Sequence, residues 1–90
     1  MAIITNIEYN HRTYNNAYIR ASVASSDKQL TCIVCEVWES IESRNNYPTP
    51  LFMLSYSLNT INSTSDNPMA YAYTLLELNN IFNNATYNVN

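Results

Sequence analysis

The alternation of apolar and polar side chains predicts four successive β-strands. The strands are expected at about residues 2–9, 12–25, 30–38 and 51–59. Asn10-His11 lies where a tight hairpin turn would join the first strand to the second. The Asn15-Asn16 pair predicts a bulge or break near the start of the long second strand. Because the strands follow one another through short polar segments, the pattern indicates an antiparallel meander.

The third predicted strand has a competing helical interpretation. Its β-branched residues, which favour a strand, are Thr31, Ile33, Val34 and Val37. Val34, Val37, Trp38 and Ile41 also match the i, i+3, i+4, i+7 spacing of a helix. The density of β-branched residues favours a central strand up to Trp38, with at most one helical turn over residues 39–44.

One helix is predicted after the fourth strand. Asn67 can cap it, and Pro68 suits its first position. The residues that recur at helical spacing are Tyr71, Leu75, Leu78 and Phe82. Asn79-Asn80 or Asn83-Asn84 can end this helix, and residues 86–90 are expected to form a frayed tail. The sequence therefore predicts a single small α+β domain over residues 1–90, mostly β, in the order β-β-β-β-α.

The chain has no glycine and one histidine, and both facts exclude classes of site. P-loops, dinucleotide-binding loops, EF-hand loops and nucleophile elbows all need glycine in the backbone. A multi-histidine metal site within one chain is excluded as well. His11 lies in the predicted hairpin turn and is interpreted as a solvated side chain. Asparagine, which tolerates the left-handed backbone region, is expected to make the turns.

Charge is low, with 12% charged residues and a formal net charge of -3. Four scattered basic residues cannot neutralise many phosphates, so nucleic acid is not an expected partner. No apolar segment approaches the length of about 20 residues that a membrane helix needs, and no basic cluster at the N-terminus indicates a signal peptide. A weakly charged surface repels its neighbours little and therefore permits assembly.

The Cys32–Cys35 pair is predicted to be a pair of free, buried thiols. Residues three apart on a strand point to opposite faces, with Cα atoms roughly 10 Å apart, beyond the reach of a disulfide. The alternatives are a metal or disulfide shared between subunits and redox chemistry at this pair. Glu36, Glu39 and Glu42 are interpreted as a solvated acidic edge, with a docking patch for a basic partner as the alternative. No catalytic residue, cofactor or metal site is predicted.

Tyrosine is abundant, with eight copies beside a single tryptophan. Tyrosine and tryptophan are enriched in protein interfaces, because a large apolar ring carries a polar tip. Tyrosine is also a good strand residue, so the core remains the alternative location. The interface candidates are Tyr18, Trp38, Tyr47, Tyr56 and Tyr73.

Several segments together suggest a family. They are AIITNI at 2–7, TYNNAYIR at 13–20, VWES at 37–40, LSYS at 54–57, DNP at 66–68 and FNNAT at 82–86. In these segments the chain resembles small structural proteins of tailed bacteriophages. The resemblance implies a non-enzymatic virion component of the tail, baseplate or fibre region, assembled in the host cytoplasm. Its expected partners are other virion proteins and copies of itself, with no small-molecule substrate. The alternative function is a host-directed phage inhibitor that binds one bacterial protein.

Overall fold

A computed structural model describes residues 2–60, 68–82 and 85–87 of the chain, with the backbone alone at 68–70. Within that part, the strands are β1 (Ile3–Tyr9), β2 (Arg12–Ser26), β3 (Leu30–Trp38), β4 (Phe52–Asn59) and β5 (Thr86–Tyr87). The helices are α1 (Ile41–Asn46) and α2 (Pro68–Leu78). The strands form one sheet in the order β4-β3-β2-β1-β5, and every neighbouring pair is antiparallel.

The predicted mostly β, antiparallel fold is confirmed, and β1 to β4 form the meander. Two details differ from the prediction. Thr86 and Tyr87 were expected in a frayed tail, but they pair with Ile4 and Ile3 as β5. The single helical turn expected after Trp38 is a short helix, α1, that begins after Ser40. The expected cap at Asn67 and the rest of the tail at 88–90 lie outside the described residues.

Asparagine makes the turns, as the lack of glycine predicted. Asn10 and His11 form the β1–β2 turn with φ angles of 51° and 63°, both in the left-handed region that tight hairpins need. Asn16 also has a positive φ of 57°, and it lies at the predicted bulge, where the β1–β2 register shifts. Its backbone N–H donates to Asn6 Oδ1 at 2.9 Å, which gives the bulged amide a partner.

Asparagine also ends α2. Asn80 has a φ of 51°, and its N–H donates to the carbonyl of Glu77 at 3.1 Å. The N–H of Ile81 donates to the carbonyl of Leu76 at 3.1 Å. These two bonds form a Schellman motif, which satisfies carbonyl groups that the last helical turn would otherwise leave without partners. The chain therefore reverses here without glycine.

The sheet has one face covered by α2, which we call the helix face, and an opposite far face. On the helix face, α2 packs mainly against β2. The residues fully buried there are Ile3, Ile19, Ile33, Cys35, Val37, Leu75 and Leu76. Tyr9 and Phe52 come from strands on different sides of the sheet, yet their rings stack at a centroid distance of 4.0 Å. The sheet therefore curls around α2.

Candidate interaction surface

The far face is formed by the side chains that alternate with the core residues. In register, Arg20 of β2 lies opposite Glu36 of β3, which lies opposite Met53 of β4. The next row contains Ser22, Val34 and Ser55, the first and last exposed and Val34 half-buried. No described helix lies over this second row, since α1 packs near the Trp38 end of the sheet. The far face is therefore open over part of its area.

A small aromatic cluster fills the other end of the far face. Tyr18 and Trp38 are neighbours in register, and their rings meet edge to face at a centroid distance of 6.1 Å. They are 6% and 4% exposed and pack with Ala2 and Ile4. The indole N–H of Trp38 donates to the backbone carbonyl of Tyr47 at 2.9 Å. This bond gives the buried indole N–H a partner. It also fixes the segment that follows α1 against the sheet.

The segment that follows α1 forms one wall of a cavity of about 400 Å³, which we call the aromatic notch. The notch is lined by Trp38, Glu39, Ser43, Tyr47, Thr49, Pro50 and Leu51. Its apolar rim is open to solvent, with Tyr47 69% exposed and Leu51 54% exposed. Met53, two residues beyond Leu51 on the same strand face, is 56% exposed. Large apolar side chains therefore border a preformed concave site.

Local hydrogen bonds hold the walls of the notch. Ser40 caps α1, its Oγ accepting the N–H of Ser43 at 3.1 Å. The N–H of Tyr47 donates to the carbonyl of Ser43 at 2.8 Å, which closes the end of α1. The N–H of Leu51 donates to the carbonyl of Val37 at 2.8 Å, which returns the chain to the sheet. Both ends of the segment that carries Tyr47 are therefore anchored.

A smaller and more polar cavity of about 240 Å³ lies on the other side of Trp38. Its lining comprises Arg20, Ala21, Ser22, Glu36, Trp38, Arg44 and Pro48. The guanidinium carbon of Arg44 lies 5.8 Å from the centroid of the Trp38 ring, which is the geometry of a cation–π contact. The Nε of Arg44 is buried, and no described residue forms a hydrogen bond with it. Charged groups of both signs therefore adjoin the apolar notch.

The five aromatic residues predicted from the sequence as interface residues lie in different parts of the structure. Trp38 and Tyr47 meet at the notch, with Tyr18 packed behind Trp38. Tyr56 is half-buried on the helix face, where its ring meets Phe82 edge to face at 5.9 Å. Tyr73 is 3% exposed in the core, and its hydroxyl accepts the N–H of Ala21 at 2.9 Å. Core packing therefore accounts for Tyr73, while the interface role of the others stays a prediction.

Sequence reasoning missed two exposed apolar residues, Leu51 at the rim of the notch and Met53 two residues beyond it. Leu51 directly precedes β4 and Met53 lies within it, and both alternate with the half-buried residues Phe52 and Leu54. Their neighbours on that side, Ser55 and Ser57, are polar, so the far face of β4 resembles an ordinary solvent-facing side. Two large apolar residues among polar positions were the available sign of an exposed contact surface.

The two cysteines point to opposite faces, as predicted, and both are free thiols. Cys35 lies in the core, where burial raises the pKa of its thiol to about 12. The prediction of burial is wrong for Cys32, which is half-buried because its side chain points to the open far face, with its Sγ 3.4 Å from Ser57 Oγ. A thiol with a raised pKa is a poor nucleophile, so Cys35 is suited to packing rather than redox chemistry.

The remaining titratable candidates lie at the surface. His11 is exposed in the β1–β2 turn. Glu39 is exposed and forms an ion pair of 3.8 Å with Arg12, a contact of small energetic value in solvent. Glu36 lies on the far face, and Glu42 lies in the first turn of α1. The three carboxylates therefore do not converge on one point.

Comparison of the chain with known protein families, with curated proteins and with solved structures found no match. In the part of the chain that the structure describes, no helix has the length and apolar character needed to cross a membrane. The same residues contain no group of three or more side chains suited to hold a metal ion. The chemistry and shape of the surface are therefore the remaining guide to function.

Proposed function

We propose that this chain is a non-enzymatic structural subunit of a tailed-bacteriophage virion, placed in several copies in the tail, baseplate or fibre region. It acts through contacts with neighbouring virion proteins at the aromatic notch and the adjoining far face. One observation carries the proposal: Tyr47 and Leu51, which line a cavity of about 400 Å³, are each more than half exposed, and so is Met53, two residues beyond Leu51. Large apolar side chains around a preformed cavity are typical of a contact surface.

The composition of this surface supports binding to a protein. Tryptophan, tyrosine, methionine and arginine are enriched in protein interfaces. Trp38 and Tyr47 line the notch, Arg44 lines the cavity of about 240 Å³ that also borders Trp38, and Met53 is exposed two residues beyond Leu51. Burying a tyrosine or tryptophan removes roughly 150–250 Å² from solvent. The anchored backbone on both sides of Tyr47 lowers the entropy lost when a partner orders that ring.

The low charge of the chain supports assembly in several copies. Only 12% of residues are charged, so like-charge repulsion between packed copies is weak. Arg20 and Glu36 face each other across the far face and offer both signs of charge beside the apolar rim. A partner can therefore find its orientation through polar contacts while the apolar rim contributes most of the affinity.

The test is quantitative mass spectrometry of purified phage particles that encode the chain. We expect the protein at a fixed copy number per particle, in a multiple of three, six or twelve. A double variant, Tyr47→Ser with Leu51→Ser, should fold normally but fail to enter particles. The matched control is Leu78→Ser, which removes a similarly exposed apolar side chain at the end of α2, away from the notch. Loss of incorporation by both variants would contradict a role specific to the notch.

The same experiment distinguishes the structural role from the alternative function, a host-directed inhibitor. A host-directed inhibitor is absent from purified particles and is recovered in a defined stoichiometric complex with one bacterial protein. Under that function, the notch variant would lose the host complex and leave particle assembly unchanged. Absence from particles would therefore overturn the structural proposal, whatever the outcome of the host-protein capture.

A further inference from the structure

The outer edge of β4 has no strand beside it among the described residues. β4 is the last strand on its side of the sheet, and it pairs only with β3. At the other side, β5 covers part of β1 by pairing with Ile3 and Ile4. An open edge eight residues long presents a row of backbone donors and acceptors to another strand.

The register shows which backbone groups face outward. The N–H of Thr60 donates to the carbonyl of Gln29 at 3.0 Å, and this pair continues the β3–β4 register. In an antiparallel ladder, every second pair of residues exchanges hydrogen bonds. The residues of β4 that bond to β3 are therefore Phe52, Leu54, Tyr56 and Leu58. Those whose N–H and C=O groups point away from β3 are Met53, Ser55, Ser57 and Asn59.

The sequence of this edge is a palindrome centred on Tyr56. Residues 54–58 read Leu-Ser-Tyr-Ser-Leu in both directions along the chain. An antiparallel two-fold pairing about Tyr56 would place Leu54 opposite Leu58 of a second copy. The same pairing places Ser55 opposite Ser57, so every cross-strand pair in this segment joins like with like.

This palindromic register also fits the backbone. A two-fold axis at Tyr56 pairs the outward residues Ser55 and Ser57 with each other, and Met53 with Asn59. Among the described residues, none pairs with the outward N–H and C=O groups of these four, so each pair can exchange both hydrogen bonds. Tyr56 then meets Tyr56 of the second copy in a close pair without hydrogen bonds. If the register shifted by one residue, residues whose N–H and C=O groups point outward would lie opposite residues whose groups point toward β3.

The side chains of β4 on the helix face are incompletely buried, and a second copy would cover them. Phe52, Leu54, Tyr56 and Leu58 are all half-buried, whereas Ile33, Cys35 and Val37 of the neighbouring strand are fully buried. Leu54 and Tyr56 also line an open cavity of about 340 Å³, whose other lining residues are Asn6, Ile7 and Glu8 of β1 with Ile81 and Phe82. The leucine that the register places opposite Leu54 can therefore add apolar contact at this edge.

The sequence of β4 contains none of the features that usually prevent another strand from pairing with a sheet edge. Natural edge strands usually carry charged residues, an internal proline or a bulge that blocks another strand. Residues 51–60 contain no charged side chain and no proline, and β4 pairs with β3 without a register shift. The unguarded edge and its palindrome point to the same partner, a second copy of the chain.

We propose that two copies of this chain pair through their β4 strands, antiparallel about a two-fold axis at Tyr56, to form one continuous sheet. The like-with-like register identifies the occupant of the edge as a second copy rather than an unrelated peptide. The proposal does not depend on the virion function, because the pairing is a property of the purified protein. Its failure and the failure of the virion proposal are therefore observed in different experiments.

The first test measures self-association by sedimentation velocity over a range of concentrations. We expect the wild-type protein to reach twice the 10.3 kDa chain mass. The double variant Ser55→Lys with Ser57→Lys places like charges in both facing pairs, and its dissociation constant should rise at least about tenfold. The charge-paired variant, Ser55→Lys with Ser57→Glu, places opposite charges in the same pairs and should dimerise within about threefold of wild type.

Two controls keep this test specific. Thr13→Lys with Asn15→Lys adds the same charge at exposed positions of β2, outside the β4 edge, and should leave the dimer unchanged. Far-ultraviolet circular dichroism shows whether each variant is folded. A wild-type protein that stays monomeric at every concentration would overturn the proposal. A dimer that the Ser55→Lys/Ser57→Lys variant leaves intact, or that the Tyr47→Ser/Leu51→Ser variant abolishes, would overturn it as well.

The second test determines the register of the β4–β4 pairing by disulfide cross-linking. Ser55→Cys and Ser57→Cys are made separately in a Cys32→Ser background, because Cys32 lies 3.4 Å from Ser57. The proposed register sets residue 55 opposite residue 57, so a mixture of the two variants should cross-link and each variant alone should not. Cross-linking of Ser55→Cys alone would indicate a different register and overturn the palindromic pairing.

Discussion

Tyr73 ties α2 to the sheet, and its hydroxyl offers a sharp test of how the core is held. The β1–β2 pairing ends at Ile19, two residues before Ala21, so β1 gives the N–H of Ala21 no partner. The Tyr73 hydroxyl accepts that N–H at 2.9 Å. Tyr73→Phe removes the acceptor and keeps the ring. The variant therefore removes the buried hydrogen bond between helix and strand while the ring stays in the core.

The expected loss in the free energy of unfolding follows from the burial of Ala21 and Tyr73. Ala21 and Tyr73 are each 3% exposed, so water has little access to replace the lost acceptor. An N–H left buried without a partner costs about 1–3 kcal/mol. For a domain of this size, each 1 kcal/mol lowers the melting temperature by roughly 4–8 °C. We therefore expect Tyr73→Phe to lower the melting temperature by at least about 4 °C.

Thermal and urea denaturation followed by circular dichroism measure this change. Tyr47→Phe is the matched control, because Tyr47 is 69% exposed and its loss of a hydroxyl should change the free energy of unfolding by less than about 0.5 kcal/mol. Equal melting temperatures for wild type and Tyr73→Phe would refute the reasoning. Equal losses in both variants would show that the effect does not come from the buried N–H.

The pH dependence gives a second measure of the same contact. Burial raises the pKa of the Tyr73 hydroxyl, while the hydrogen bond from Ala21 opposes that rise. A raised folded-state pKa means that the unfolded chain loses this proton first. The stabilising contribution is therefore complete below pH 10, the ordinary tyrosine value, and is lost as the pH rises through the folded-state pKa. Tyr73→Phe should lose less stability than wild type over that alkaline range.

Three further predictions concern a buried thiol, a turn and a helix cap. At pH 8, a thiol reagent should label Cys32 and spare Cys35, because burial raises the pKa of Cys35 to about 12; equal labelling rates would contradict this. His11→Gly should stabilise the protein by about 0.5 kcal/mol in urea denaturation, because glycine adopts the φ of 63° without steric cost; a lower stability would argue against strain there. Ser40→Ala should lower the free energy of unfolding by about 1 kcal/mol. It should also shift the Trp38 fluorescence to the red, because the cap positions α1 beside the indole. An unchanged spectrum would contradict that coupling.

The strands were predictable because their pattern is local. The β-branched density of residues 30–38 selected strand over helix, and β3 has those bounds. Asn10 and Asn16 could be assigned to turns because a chain without glycine has few other residues that tolerate positive φ. The Asn80 end of α2 follows from the same rule. Local backbone preference therefore determines most of the element order.

The remaining structure depends on contacts between distant residues. β5 has only two residues, and no periodicity can be read in so short a segment. It is a strand because Thr86 and Tyr87 reach the backbone of β1. The aromatic notch also has no pattern of its own, since it arises where α1 and the return of the chain at Leu51 meet the sheet. Sequence spacing identified Trp38 and Tyr47 but could not bring them together.

The two sides of the sheet differ in a way that bears on assembly. β1 carries Glu8 near the part of its edge that β5 leaves open, and a bulge interrupts its pairing with β2. Both features discourage the approach of another strand. β4 has neither, although its outward backbone groups form the longer regular row. An edge left unguarded by chance would favour many registers and therefore aggregation, whereas the palindrome about Tyr56 favours one. The decisive observation is whether association stops at two copies, since a closed dimer uses the β4 edge of both chains and leaves none for a third.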